Sequence, residues 1–214
     1  MTAIKINEIF YSIQGESSYV GQPTVFIRTT GCNLRCTYCD TKYSYYEGEF
    51  LSLEEIHSQV SSHGTKYVCV TGGEPLLQKS VLELMTQLCD QGFIVSLETS
   101  GSKSIAAVDP RVKIILDVKT PQSGEANTFL IDNLSFLQAS TEFKFVICGE
   151  EDFDWSENFC RQYDLFGKWT VLYSPSYSQV SERWLAEKIL QKKSFARFQI
   201  QMHKYVWSPD TRGV

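Results

Sequence analysis

The stretch Gly31-Cys32-Asn33-Leu34-Arg35-Cys36-Thr37-Tyr38-Cys39-Asp40-Thr41 decides how the chain is read. It sets three cysteines at the spacing C-x3-C-x2-C directly after an apolar run, Thr24 to Thr30, that has the form of a buried strand. Three thiolates on so short a loop can serve one soft metal centre, because thiolates select zinc, copper(I) or iron-sulfur clusters over harder ions. A closed structural zinc site takes a fourth Cys or His at finger-like spacing, and none lies nearby. On a 4Fe-4S cluster that deficit is useful, since the iron without a protein thiolate stays open to a small molecule.

Working outward, the pattern on both sides of the loop alternates strand and helix. Lys5 to Ser12 and Pro23 to Thr30 read as strands, and Ser52 with Glu55 forms a capping box that opens a helix over Leu53 to Ser61. Tyr67 to Thr71 is a β-branched strand that ends at Gly72-Gly73-Glu74-Pro75, where glycines let the backbone turn and Pro75 starts a helical segment, Leu76 to Cys89. Strands follow at Phe93 to Leu97, Val112 to Leu116, Phe143 to Ile147, Trp169 to Tyr173 and Arg197 to Met202. Helices are expected at Ile131 to Gln138, Glu151 to Tyr163 and Glu182 to Gln191. Such alternation specifies an α/β fold with a parallel sheet. About six core strands are too few for a closed eight-fold barrel, so an open, partial parallel β/α barrel is expected, as a single domain over 1–214.

Composition narrows the function. A hydrophobic fraction of 43% and a charged fraction of 21% are those of a globular chain. The net charge of -5 argues against nucleic-acid binding through bulk electrostatics. No apolar run approaches the roughly 20 residues that cross a bilayer, and Met1 to Phe10 lacks signal-peptide blocks. A cytoplasmic protein is expected. Of the seven cysteines, Cys69, Cys89, Cys148 and Cys160 sit singly in apolar segments and read as small buried hydrophobes.

Two polar features stand out near the start. Ile13-Gln14-Gly15-Glu16-Ser17-Ser18 is either a solvated hairpin loop or a set that offers an amide and a carboxylate to a heterocycle. Arg28 interrupts an apolar strand, and a buried guanidinium needs a partner: a structural ion pair or a carboxylate-bearing ligand. His203 reads as a structural, hydrogen-bonded histidine.

The cysteine spacing, Tyr38 before the third cysteine, and the later Gly-Gly-Glu-Pro segment together resemble the signature of the radical S-adenosylmethionine superfamily. The match extends further. Glu8-Ile9-Phe10, Ile13-Gln14-Gly15-Glu16, Phe26-Ile27-Arg28, Tyr38-Cys39-Asp40-Thr41, Thr71-Gly72-Gly73-Glu74-Pro75, Glu98-Thr99-Ser100-Gly101 and Gln201-Met202-His203-Lys204-Tyr205 are similar to the 7-carboxy-7-deazaguanine synthase family, over essentially the whole chain. The resemblance implies a carbon-nitrogen lyase of queuosine biosynthesis, which supplies a precursor of a transfer RNA modification. Its substrate would be 6-carboxy-5,6,7,8-tetrahydropterin, converted to 7-carboxy-7-deazaguanine with loss of ammonia. An S-adenosylmethionine-derived radical would start the ring contraction, with magnesium assisting.

The same resemblance implies roles for residues. Cys32, Cys36 and Cys39 would ligate the 4Fe-4S cluster, and Thr41 would give magnesium a hydroxyl oxygen. Tyr38, Cys39, Asp40, Gly73, Ser100, Asp117, Val118, Lys119, Tyr173, Ser174, Pro175 and Ser176 would contact S-adenosylmethionine. Asp117 and Val118 stand where many members carry Ser-Pro before the lysine. Ile13, Gln14, Gly15, Glu16, Arg28 and Thr71 would bind the pterin. A homodimer and an electron donor, flavodoxin or ferredoxin, are implied as partners. Two other readings keep the cysteines: a radical activase that makes a glycyl radical on a partner enzyme, and a zinc-binding interaction module.

Overall fold

The computed structural model describes residues 3–214. Strand β1 (Ala3–Ile13) pairs antiparallel with β2 (Pro23–Thr29) and with the short β3 (Glu49–Ser52). Helix α1 (Leu53–Ser61) follows with the expected capping box: Ser52 Oγ accepts the Glu55 N–H, and the Glu55 carboxylate accepts the Ser52 N–H at 2.7 Å. From there the chain alternates through β4 (Tyr67–Gly72), α2 (Ser80–Asp90), β5 (Ile94–Thr99), β6 (Lys113–Asp117), β7 (Glu142–Ile147), α3 (Glu150–Gln162), β8 (Thr170–Pro175), α4 (Glu182–Lys192), the two-residue β9 (Arg197–Phe198) and a last turn of helix, α5 (His203–Val206).

These strands form one sheet in the order β3-β1-β2-β4-β5-β6-β7-β8-β9, and every neighbour from β2 to β9 is parallel. Its two ends do not pair with each other, so the barrel is open, with six well-formed parallel strands at its centre. The two-residue alternation of strands decides which side chains see the interior. On β4, Val68 and Val70 join the apolar core shared with the helices, while Thr71 turns inward. On β7, Phe143, Phe145 and Ile147 lie in that core, and Lys144 and Val146 face the opposite way. The hydrophobic core therefore lies outside the sheet, under α1 to α4, and the polar residues inside it.

Three sequence expectations shift. The helix expected from Leu76 to Cys89 is a 3-10 turn, Pro75–Leu77, followed by α2. Gln78 breaks it because its amide is committed to the backbone of Lys5, accepting from N–H at 2.8 Å and donating to the carbonyl at 2.9 Å. Ile131–Phe136 is 3-10 rather than α, since buried Asn133 donates to the Gly101 and Lys103 carbonyls and accepts from Ile105 N–H. The strand expected from Arg197 to Met202 pairs only over two residues, because the residues after it turn toward the β1–β2 hairpin.

Glu74 fixes the join between β4 and β5. Fully buried, it accepts hydrogen bonds from Thr99 Oγ1, Ser100 N–H, Ser100 Oγ and Leu76 N–H, all within 3.1 Å. Removing a buried ionic acceptor strands its donors, and each charged hydrogen bond contributes about 1.5 to about 3 kcal/mol. E74A is expected to lose about 3 kcal/mol or more of folding free energy, read from urea denaturation; a loss below about 0.5 kcal/mol would contradict this role.

Candidate functional site

The cysteine loop sits across the carboxyl ends of the parallel strands, the usual place for an α/β site. It is pinned to three of them. Glu74 N–H donates to the Gly31 carbonyl at 2.8 Å, Asn33 Nδ2 to Ser102 Oγ at 3.1 Å, and Thr37 N–H to the Ser123 carbonyl at 3.0 Å. Gly73 is a glycine for a steric reason: a Cβ there would lie 2.2 Å from the Gly31 oxygen and 2.7 Å from Cys32 Cβ. Gly73 lets the β4 end and the cysteine loop touch backbone to backbone, while a Cβ on Gly72 would lie 2.5 Å from the Thr29 carbonyl oxygen of β2.

The three thiols open onto one cavity of about 640 Å³, which also takes in Gln14, Glu16, Arg28, Thr71, Glu98, Asp117, Lys119, Lys144 and His203. All seven cysteines are free thiols. Among the described residues no three Cys, His, Asp or Glu side chains close on a single point, as a zinc ion would require. Cys32, Cys36 and Cys39 all line this cavity, as the three thiolate ligands of a 4Fe-4S cluster would. The Tyr38 hydroxyl on this loop is buried with no hydrogen-bond partner among the described residues, a cost that a polar group bound in the cavity would remove. Burial raises the Cys36 thiol to about 11, so loading a metal there would release a proton.

The inner wall is a row of opposite charges. Glu16 from the hairpin turn pairs with Lys144, Lys144 with Asp117 at 3.2 Å, and Asp117 with Lys119 at 2.8 Å. Lys119 in turn lies 5.8 Å from the Tyr38 ring centre. Burial acts to raise the Asp117 carboxyl, but Lys119 and Lys144 outweigh it and hold it below its ordinary value of 3.8. Glu98 forms no ion pair among the described residues. It accepts from Thr71 Oγ1 at 3.1 Å and Gln14 Nε2 at 3.5 Å, and burial followed by the Glu16 charge pushes it up. Arg28 spends Nε on Glu8 at 2.7 Å, while its two terminal nitrogens have no hydrogen-bond partner among the described residues. It therefore satisfies the ion-pair reading and still presents an edge that fits a carboxylate.

The open side of the barrel is closed by the hairpin turn and the chain after β9. Met202 N–H donates to the Gly15 carbonyl at 3.1 Å, Ser17 N–H to Gln199 Oε1 at 3.0 Å, and Gln201 Nε2 to Glu16 at 3.0 Å. A Cβ on Gly15 would lie 2.3 Å from His203 Nδ1. Lys204 reaches Asp40 of the cysteine loop at 2.6 Å, and Val214 also lines the cavity.

Residues 26–119 match the family model of the radical SAM superfamily. A 7-carboxy-7-deazaguanine synthase from Chlorobaculum tepidum is 42% identical over 99% of this chain and 97% of its own, and one from Koribacter versatilis is 39% identical over 99% and 100%. The chain belongs to the 7-carboxy-7-deazaguanine synthase family. The crystal structure of QueE from Escherichia coli, 22% identical, superposes with a TM-score of 0.77 over 95% of this chain and 96% of that one. That of Streptococcus suis SuiB bound to precursor peptide SuiA shares the fold over 82% of this chain and 47% of that one, with a TM-score of 0.58 and 12% identity.

Against this synthase-family background, most expected site residues share the one cavity: Ile13, Gln14, Gly15, Glu16, Arg28, Cys32, Cys36, Tyr38, Cys39, Asp40, Thr41, Thr71, Gly73, Ser100, Asp117, Lys119 and Ser176. Gln14 and Glu16 are buried, so the solvated-loop reading of their turn fails. Four residues do not line it. Val118 belongs to the apolar core, and Tyr173 points outward, its hydroxyl donating to Glu157 of α3 at 3.2 Å. Ser174 shares the inward face with Val146 but stays buried, as does Pro175. His203 differs from expectation too, because no described residue hydrogen-bonds its ring, which fronts the cavity. Lys144 and Glu98 were not anticipated, although a lysine between Phe143 and Phe145 on a strand is itself a sign of an inward-facing charge.

Two outcomes test this geometry. G73A is expected to push the cysteine loop off the β4 end and to lower iron bound after anaerobic reconstitution by at least about half, measured as iron per chain. Asp117, whose carboxyl falls on folding, contributes stability above about 3.8 and loses it as pH drops through the folded value. D117N should therefore be less stable near neutral pH and show a flatter acid limb, read from urea midpoints at successive pH values.

Proposed function

We propose that the chain is a radical S-adenosylmethionine lyase that converts 6-carboxy-5,6,7,8-tetrahydropterin to 7-carboxy-7-deazaguanine with loss of ammonia. The observation that carries this is a single chamber, with Cys32, Cys36 and Cys39 on one wall and Gln14, Glu16, Arg28 and Thr71 on another. Cys32, Cys36 and Cys39 would hold a 4Fe-4S cluster with one iron free for S-adenosylmethionine. Bound there, the pair supplies a one-electron cleavage that yields a hydrogen-abstracting radical.

The chain's own residues bind, orient and shield. Tyr38, Asp40, Gly73, Ser100, Asp117, Lys119 and Ser176 share the cavity with the cysteine loop and would contact S-adenosylmethionine extending from it. Gln14 and Glu16 offer an amide and a carboxylate to the donor edge of a pterin, and Thr71 adds a hydroxyl. The free edge of Arg28 would take the substrate carboxylate in a bidentate pair. The segment after β9 lies across the open side, with Gln201, His203, Lys204 and Val214 on the cavity, and would shield a bound ligand from water, which strengthens each polar contact. A covered chamber of this size suits a small polar ligand better than the protein chain of an activase.

The same reading takes 1–214 as one domain, because one sheet runs from Ala3 to Phe198. Thr41 Oγ1, on the cavity wall 3.8 Å from Cys39 Sγ, would serve magnesium. A homodimer is supported by the unpaired β9 edge and the exposed Leu190, Phe195 and Phe198 beside it. A flavodoxin or ferredoxin would deliver the electron, and seven free thiols suit the reducing cytoplasm. No described helix is long and apolar enough to cross a membrane.

Anaerobically reconstituted protein given reductant, S-adenosylmethionine, magnesium and the carboxytetrahydropterin should form carboxydeazaguanine. Absence of product from protein with an intact cluster would overturn the reading. R28M is expected to lower kcat/KM about 100-fold, with R28K recovering only part of it.

A further inference from the structure

Lys144 is the hub of the charged row. Its ammonium is held by Glu16 from the hairpin turn and by Asp117 from β6, and its side chain is 9% exposed. Asp117 passes the contact on to Lys119, beside Tyr38 of the cysteine loop. Around it stand Glu98 of β5, Arg28 of β2, Asp40 of the cysteine loop, and His203 and Lys204 of α5. The backbone repeats the link: Asp117 and Lys144 are register partners, and Val118 N–H donates to the Lys144 carbonyl at 2.9 Å.

We propose that Lys144 is a positioning residue for substrate recognition: it fixes the Glu16 carboxylate against the pterin edge and ties it, through Asp117, to the Lys119 side of the cavity. The proposal rests on the reading of Glu16 as a pterin-binding group. A pterin ring edge presents N–H donors, and only an ionised carboxylate offers acceptors on both oxygens. Three carboxylates, Glu16, Glu98 and Asp117, crowd the same interior. Burial is the largest influence on Glu16 and acts to protonate it; Lys144 is the first of the groups that oppose this, ahead of His203 and Gln201, and together they hold the carboxyl below its ordinary value. Without the ammonium, Glu16 would take up a proton and turn a donor toward a donor. A neutral side chain of equal bulk could fill the space but could not hold the charge.

The test uses the cluster-loaded chain without reductant, so that binding is read in the absence of turnover. Dissociation constants for the carboxytetrahydropterin are measured from about pH 5 to about pH 9, with each variant expressed as a ratio to the unsubstituted chain so that the ligand's own titration cancels. K144M should bind more weakly at low pH, the ratio shrinking up to about tenfold per pH unit while Glu16 titrates. K144R should restore most of the affinity and remove the pH dependence. K144Q replaces K144M should the latter fail to fold. A ratio constant with pH, or a K144R chain as weak as K144M, would show that Lys144 only fills space and would overturn the proposal.

A second measurement needs no ligand. Infrared difference spectra near pH 6 should show protonated-carboxyl intensity in K144M or K144Q beyond that of the unsubstituted chain, and this added intensity should vanish from the same variant carrying E16Q. Absence of a Glu16-dependent band overturns the positioning role. If the unsubstituted chain binds no pterin, the function proposed above fails instead, and the infrared result still decides Lys144.

Discussion

Placing an ammonium among carboxylates inside an open barrel is the constraint on which the rest of this structure turns. Each buried ion costs several kcal/mol to desolvate, and a contact at about 4 Å returns about 4 kcal/mol at an effective dielectric of about 20. An isolated pair therefore does little better than break even. A row in which Lys144 and Asp117 each serve two partners uses each desolvated charge twice, which favours the row over separate pairs. That arrangement demands the Asp117 to Lys144 register between β6 and β7, and a hairpin turn long enough to carry Glu16 inside.

A second constraint, purely steric, ties the cysteine loop to the sheet. Gly73 leaves no room for a Cβ above Gly31 and Cys32, and Glu74 beside it gathers four hydrogen bonds from the β5 end and the following turn. Two adjacent residues thus do different jobs. The glycine sets how closely the loop approaches, and the glutamate holds the neighbouring strand ends together. The thiols are then presented from a rigid base, which matters for a group whose chemistry depends on sub-ångström placement.

Much of this was legible in the sequence. Cysteine spacing, the glycine pair and the alternation of strand with helix are local patterns, and they led to the open barrel and to most of the cavity wall. The misplacements have a common origin in side-chain direction. The family resemblance implies a cofactor contact for Tyr173, yet strand alternation turns its side chain toward α3 and sends Ser174 inward. Lys144 follows the same rule in the opposite sense. His203 and Asn133 could not be read from their neighbours, because what fixes them, the Gly15 turn and the Gly101 and Lys103 carbonyls, lies far along the chain.

The closure of the barrel carries a consequence for how the molecule comes together. Glu16 and Gln201 bond across a separation of 185 residues, whereas neighbouring parallel strands meet over much shorter spans. Contacts so remote incur the greatest loop-closure entropy, so they are expected to form after the parallel strands, and recognition of a ligand would wait on a seam sewn last. By the same reasoning that seam is the first to part when the fold loosens, which makes loss of binding an earlier event than loss of secondary structure.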